Sequence, residues 1–243
     1  MSNKKKKNSN YQTAKRAAAA TAKKKKKLSK DAIIGIICAA VILVAVILTV
    51  TFCSINKNKD TRYVKMTVEG HGDIILKLDA KTAPITVKNF MELVNSGFYD
   101  GLTFHRILED FMIQGGDPKG DGTGGNTDKN GKEINIKGEF ASNGVANNIS
   151  HKRGVISMAR NGYSNDSASS QFFICNADSP HLDGDYAAFG YVIAGLDVVD
   201  SITAEGMKYT STAQNGAISD KSKQPVITSI VEISEKEAKS YVK

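Results

Sequence analysis

The 243-residue sequence predicts a mainly β protein: a closed eight-stranded antiparallel β-barrel with about two helices, preceded by one transmembrane helix. Three observations carry that prediction. Eight short apolar or alternating segments follow residue 61, joined by glycine-rich connections. Only two helical patterns fall among them, with no regular βαβ alternation, which argues for a barrel over a doubly wound sheet. Before all of this lie 21 uncharged residues, Ala32–Phe52.

Residues 1–31 form a basic tail. Residues 1–30 hold eleven lysines and Arg16 without an acid, so the chain's +8 is +12 there and −4 over the rest. The blocks Lys4–Lys7, Ala17–Ala20 and Lys23–Lys27 offer no apolar face to bury, which predicts a disordered segment. A nucleic-acid-binding domain would set its cations on folded elements with aromatics between them. These cations sit on the tail, so no specific nucleic acid is expected as a partner.

Residues 32–53 follow as a signal-anchor helix. At about 1.5 Å per residue the uncharged run spans roughly 30 Å, the thickness of a bilayer core. It is longer than the apolar stretch of a cleaved signal peptide, and no small-residue cleavage site follows it. A lipidated Cys53 would want a small residue where Phe52 stands. The positive-inside rule puts the lysine tail in the cytoplasm and everything after Asn56 outside. The expectation is a single-pass cell-membrane protein whose folded domain is extracytoplasmic.

Residues 54–61 read as a polar linker and 62–235 as the folded domain. Arg62–Glu69 and Asp73–Asp79 alternate apolar and polar residues around Gly70-His71-Gly72, a hairpin pattern. Pro84 opens a helical pattern whose face carries Val87, Phe90, Met91 and Val94, closed by Gly97. Short strands are expected at Thr103–Ile107, Phe111–Gln114, Val155–Ala159, Gln171–Ile174, Phe189–Ile193 and Val226–Ile233. A brief helix is expected at Leu196–Ile202, and 236–243 read as a polar C-terminal tail. Cys38 and Cys53 lie in or beside the apolar span and Cys175 in an apolar strand, which rules out a disulfide framework in the domain. Cys175 reads as small core filler.

The chemistry concentrates in residues 104–117, Phe-His-Arg-Ile-Leu-Glu-Asp-Phe-Met-Ile-Gln-Gly-Gly-Asp. Arg106 stands among strand formers; Phe111, Met112 and Gln114 follow. A cation, an apolar floor and a neutral amide suit binding of an apolar peptide segment, and no nucleophile–base pair is present to hydrolyse one. Period-2 alternation puts Phe104 and Arg106 on one face and His105 and Ile107 on the other. Taken singly, Arg106 reads as a solvated strand arginine, Phe111, Met112 and Phe173 as core, and Gln114 and Gln171 as surface amides. His71, His105, His151 and His181 share no metal-ligand spacing, so neither metal nor cofactor is expected. Gly122–Gly125 lacks a following Gly-Lys-Ser/Thr, which rejects a phosphate cradle.

The stretch resembles the signature of the cyclophilin-type peptidyl-prolyl cis-trans isomerases. So do, in order, Gly122-Thr-Gly-Gly125, Gly154-Val-Ile-Ser-Met-Ala159, Ser170-Gln-Phe-Phe-Ile174, Leu182-Asp-Gly184 and Phe189-Gly190. Each is weak alone; their order gives the resemblance, which covers roughly 64–233. It implies a peptidyl-prolyl isomerase, bacterial-like and membrane-anchored, acting on proline-containing polypeptides. Arg106 takes the place of the family's catalytic arginine. Phe111, Met112, Phe173 and Leu182 would line the proline pocket, and Gln114 and Gln171 would hydrogen-bond the peptide backbone. His105, Ala159, Arg160, His181 and Tyr186 would border the substrate. The alternative is a non-catalytic peptide-binding or chaperone module on the same barrel.

Four positions depart from the pattern common among eukaryotic members. His181 replaces tryptophan before Leu-Asp-Gly, Tyr186 replaces histidine four residues after that leucine, and Arg160-Asn161 replaces asparagine-alanine. These changes imply weak cyclosporin binding at most, and a preference for acidic residues near the proline through Arg160.

Overall fold

The computed structural model describes residues 60–242, together with 39 and 42–44. The chain divides into two units, Met1–Cys53 and Ser54–Lys243. In the first, the described residues 39 and 42–44 are helical. The predicted tail and the rest of the predicted membrane span lie outside the described residues, among which no helix is long and apolar enough to cross a membrane.

The second unit is one curled sheet of eight antiparallel strands, β1 Thr61–Val68, β2 Gly72–Asp79, β3 Phe104–Leu108, β4 Met112–Gly115, β5 Val155–Met158, β6 Phe172–Cys175, β7 Ala188–Ala194 and β8 Ile227–Ile233. Their spatial order is β3-β4-β6-β5-β7-β2-β1-β8. Closure differs from the prediction. The edge strands β3 and β8 do not share a ladder; they approach through an isolated bridge, Thr103↔Val226, with Phe104 N–H donating to Pro225 O at 2.9 Å and Ile227 N–H to Leu102 O at 2.8 Å. The sheet is a curled half-barrel pinned at that seam.

Alternation explains which face is filled. Val64, Met66 and Val68 of β1 and Ile74, Leu76 and Leu78 of β2 point into the main core. Helix α1, Pro84–Asn95, lays Val87, Phe90, Met91 and Val94 against it. Phe90 then meets Tyr99, Phe172 and Phe189 at ring distances of 5.1, 5.7 and 5.2 Å, in the offset and edge-on geometries that aromatic quadrupoles favour. Ala83 gives α1 no side-chain cap. The buried Glu139 carboxylate supplies one from 53 residues away, accepting from Ile85 N–H at 3.0 Å and Thr86 N–H at 2.7 Å. A negative group on orphan N–H donors also opposes the helix dipole. Gly190 lets β7 close on β2, because a Cβ there would lie 2.6 Å from Lys77 O.

Helix α2, Leu196–Gly206, runs four residues beyond the predicted Leu196–Ile202. A third helix, α3 Glu235–Tyr241, forms where a polar tail is expected. Its sequence carries only Ala238 and Tyr241 as an apolar face, too little for a periodic signal. The readable signal was the cap: Ser234 Oγ accepts from Glu237 N–H at 3.1 Å. The helix covers Ile75, Ile233 and Tyr63 on the outer face of the sheet.

Candidate functional site

The site lies across β3, β4 and β6 and the connections beside them. The β3–β4 register shifts between Phe104 and Arg106, pairing Phe104 with Gly115 and Arg106 with Gln114. This irregularity corrects the predicted alternation. Phe104 and Ile107 both turn into the main core, while His105 and Arg106 both line the site cavity. A bulge re-aims one side chain without unpairing the strand. No pattern of apolar residues announces it.

Beyond β3, Asp110 adopts φ 57° in the three-residue loop that closes Leu108 on Met112. This left-handed residue turns the Phe111 ring beneath the Arg106 guanidinium, 5.9 Å from its carbon. Along β4, Met112 and Gln114 face the site and Ile113 faces the core. β6 repeats the division: Phe173 and Cys175 join Met112 and Leu182 in a second apolar cluster, while Phe172 and Ile174 enter the main core. The expected small-filler role suits Cys175, but in this cluster rather than the main core; burial pushes its thiol up to about 12, so it is no nucleophile.

Two adjoining cavities result. The first, ≈ 270 Å³, is lined by His105, Arg106, Phe111, Met112, Phe173, Leu182 and Tyr186. The second, ≈ 280 Å³, is polar and lined by Thr123, Glu133, Asn161, Ser167 and Gln171 among others. Gln114, Gly122, Ala159 and Arg160 border both. His181 lines neither; its ring packs on Phe111 at 5.3 Å, at the rim.

A hydrogen-bonded relay crosses the two. Arg106 Nε donates to Asn215 O at 2.8 Å and Nη1 donates to Gln114 Oε1 at 3.0 Å. Gln114 Nε2 donates to Gln171 Oε1 at 2.9 Å, and Gln171 Nε2 donates to Gly124 O at 2.8 Å and Gly122 O at 3.1 Å. The loop at its end is ordered by Asp117, which accepts from Lys119, Asp121 and Gly122 N–H. Only glycine fits at 124, where a Cβ would run into Asp117 Oδ1. The relay uses Nε and Nη1 but not Nη2 of Arg106, whose half-buried side chain lines the first cavity. Burial lowers the Arg106 pKa, with Tyr186 opposing, in a group whose ordinary value lies far above neutrality.

His105 is buried with neither ring nitrogen hydrogen-bonded. Burial holds its pKa below the ordinary histidine value despite Asp117 nearby, so it is neutral at pH 7 and acts as a wall. Arg160 is tied down: Nε donates to Asp185 O at 2.9 Å and Nη1 to Asn161 O at 3.1 Å, with its carbon 4.8 Å from the Tyr186 ring centre and 5.4 Å from that of Phe140. That arrangement gives Arg160 a role in joining two loops, beside any preference for acidic substrates. Tyr186 in turn stands edge-on to Phe173 at 5.9 Å.

Sequence reasoning missed a polar group behind the apolar cavity: buried His151 and Ser157, joined by the more exposed Asp183. His151 Nδ1 lies 2.9 Å from Asp183 Oδ1, and Nε2 lies 3.0 Å from Ser157 Oγ. Their separations of 6 and 26 residues match no local motif, and only the fold brings them together. Among the described residues no cluster of three or more metal-binding side chains occurs.

The site can grip an apolar ring between aromatic and aliphatic side chains and present a fixed guanidinium donor beside it. Comparisons with known proteins agree with such a site. The family model for cyclophilin type peptidyl-prolyl cis-trans isomerase/CLD matches residues 63–231. A peptidyl-prolyl cis-trans isomerase of Helicobacter pylori is 47% identical over 133 residues, covering 54% of this chain and 74% of the relative. Peptidyl-prolyl cis-trans isomerase A of Dickeya dadantii is 44% identical over 151 residues, covering 59% and 73%. Crystal structures of a Cryptosporidium parvum cyclophilin type peptidyl-prolyl cis-trans isomerase, one in the presence of the dipeptide Ala-Pro, superpose with a TM-score of 0.60. They are 29% and 28% identical and cover 72% of this chain and 99% and 100% of theirs.

Proposed function

From the premise that the chain belongs to the cyclophilin-type peptidyl-prolyl cis-trans isomerases and has their activity, we propose that Arg106 drives X–Pro rotation by stabilising the twisted amide, outside the cytoplasm. Rotation about this bond faces a barrier near 20 kcal/mol, because the C–N bond has partial double-bond character. In the twisted state the prolyl nitrogen becomes pyramidal and regains a lone pair. A guanidinium N–H meets that lone pair only there, so the interaction favours the transition state selectively. No covalent step is needed. Phe111, Met112, Phe173 and Leu182 would hold the ring, and Gln114 with the backbone at Ala159 would hold the flanking peptide. A rate gain of about 10⁵ requires only ~7 kcal/mol, within reach of one charge-assisted hydrogen bond plus positioning.

The observation that carries this reading is the Arg106 guanidinium, anchored by Asn215 O and Gln114 Oε1 beside the apolar cavity. The same anchoring favours catalysis over the alternative of a non-catalytic binding module, which needs the floor but no oriented cation. The Ala-Pro dipeptide named for the Cryptosporidium structure supports proline-containing peptides as the ligand class. The extracytoplasmic setting rests on the charge step across the uncharged Ala32–Phe52 run. Such an anchored foldase would speed proline steps that otherwise take tens of seconds or more.

One assay tests both halves. Cells carrying the full-length chain should isomerise an added membrane-impermeant X–Pro peptide, and cells carrying Arg106→Ala should not. Activity that appears only after lysis overturns the placement; undiminished activity in the variant overturns the mechanism.

A further inference from the structure

His151, Ser157 and Asp183 have the connectivity of a hydrolase triad, but Ser157 is fully buried within β5, which pairs with β6 on one side and β7 on the other. No carbonyl can reach its Oγ, so hydrolysis is excluded and another role must explain three polar groups behind an apolar cavity. We propose that His151 is the positioning residue of the proline pocket, fixing Phe173 and the Leu182 segment in one geometry.

The contacts converge on that role. The His151 ring lies nearly parallel to Phe173, centroids 6.0 Å apart and planes 19° apart. Ser157, which holds Nε2, is the register partner of Phe173 across β5–β6. The ring therefore backs the aromatic wall and is pinned to the strand beside it.

The other side of His151 grips residues 179–183 from three atoms. Its backbone N–H donates to Asp183 Oδ1 at 2.7 Å, ring Nδ1 meets the same oxygen at 2.9 Å, and its carbonyl accepts from Ser179 N–H at 2.6 Å. The segment so held carries Leu182 into the cavity. A carboxylate only accepts, so Nδ1 carries the proton and Nε2 accepts from the Ser157 hydroxyl. That single tautomer satisfies both ring nitrogens and the Ser157 hydroxyl. Leu182 and Phe173 come from different parts of the chain, and His151 is bonded or stacked to the supports of both.

This inference rests on the isomerase reading. The pocket holds a prolyl ring whose shape is the same in the planar and twisted states. Loosening the pocket should therefore weaken binding of both states alike, raising KM and leaving kcat unchanged. The test uses the full-length chain and an Ala-Pro peptide. His151→Phe keeps the stack but cuts both ring hydrogen bonds, and Asp183→Ala removes two of the three bonds that hold the Leu182 segment. Both should raise KM at least fivefold with kcat within twofold. Asp183→Asn should stay within twofold of the original KM, because its amide oxygen still accepts both bonds. Ile230→Val, a core change away from the site, should lower thermal stability without moving KM.

Equal KM values for Asp183→Ala and Asp183→Asn overturn the proposal, as does an unchanged KM in Asp183→Ala. Phe173→Ala separates the two layers of the argument. If it raises KM while His151→Phe and Asp183→Ala do not, the tether alone falls. If it too leaves KM unchanged, the pocket reading falls and the tether with it.

Discussion

Arg106 and Gln114 face one another as register partners across β3–β4, joined by a 3.0 Å bond from Nη1 to Oε1. Gln114 is thus a support for the cation as well as a candidate ligand for the peptide. Its own Nε2 is held by Gln171, so the acceptor oxygen is oriented toward the arginine. Gln114→Ala should leave the guanidinium held by Asn215 O alone and reduce kcat/KM about tenfold, roughly 1.4 kcal/mol. Gln171→Ala, one step further along, should cost less. Steady-state rates ranking the two in the opposite order would show that the relay does not orient Arg106.

Arg106→Ala should reduce kcat/KM at least a hundredfold, about 2.7 kcal/mol, while the thermal midpoint moves little. The side chain lines a cavity and contributes few core contacts. Arg106→Lys should also fail, since an ammonium cannot reach Asn215 O and Gln114 Oε1 while presenting a donor to the substrate. A folded Arg106→Ala protein retaining activity within about threefold of the original would refute the assigned mechanism.

Most of the fold was legible because one-sided burial writes alternation into β1, β2 and β4 and a 3.6-residue stripe into α1. Pocket residues such as Phe111, Met112 and Phe173 were not separable from core on those grounds, being apolar and mostly buried; the resemblance singled them out. Four features escaped. The bulge at His105 leaves no compositional trace, because it depends on pairing with β4. Helix α3 rests on a cap and two apolar residues. The His151–Asp183–Ser157 group is assembled from three separate positions, and each residue alone is ordinary. Seam closure between β3 and β8 likewise depends on how far the sheet curls, which no single strand encodes.

Stability should fall with acid in two stages. Burial lowers the pKa of both His105 and His151, although Asp117 and Asp183 respectively oppose it. As pH drops through about 6.5 the unfolded chain takes up protons that the folded chain refuses, so unfolding becomes easier. Each histidine can add at most about 1.4 kcal/mol per pH unit within its window. For Asp183 burial alone would raise the carboxyl, but the bonds from His151 outweigh it and hold the pKa below the usual range. Its contribution persists through pH 5 and is lost only in stronger acid. Thermal midpoints should be level above pH 7 and decline below 6.5; a flat profile from pH 8 to 5.5 would contradict the buried neutral assignment.

Glu139 offers a stability test separate from activity. Its carboxylate accepts from Ile85 and Thr86 N–H, doing for α1 what Ala83 cannot. Glu139→Ala should cost about 1–3 kcal/mol by stranding two N–H donors, with kcat/KM unchanged because the residue lies outside both cavities. Glu139→Gln keeps one acceptor and should cost less. Equal losses in denaturant titrations of the two variants would show that hydrogen bonding is not what the carboxylate supplies.

His181 should set the response to cyclosporin. By resemblance this position edges the inhibitor site, where a tryptophan indole offers a broad apolar face and an N–H donor. The His181 ring sits on Phe111 at 5.3 Å, tilted by 40°, outside the cavity lining. It keeps a possible donor but presents less apolar area to a macrocycle that spreads beyond the proline pocket. In the proposed mechanism catalysis depends on Arg106 and the ring-binding floor, so weak inhibition and full activity are compatible here. The original chain should therefore be an active isomerase of low cyclosporin sensitivity. His181→Trp should tighten inhibition at least tenfold and leave kcat/KM within twofold, since the new indole would pack on Phe111 without entering the cavity. Titrating the drug against both forms decides the matter, and equal inhibition would show that some other residue limits affinity for the macrocycle.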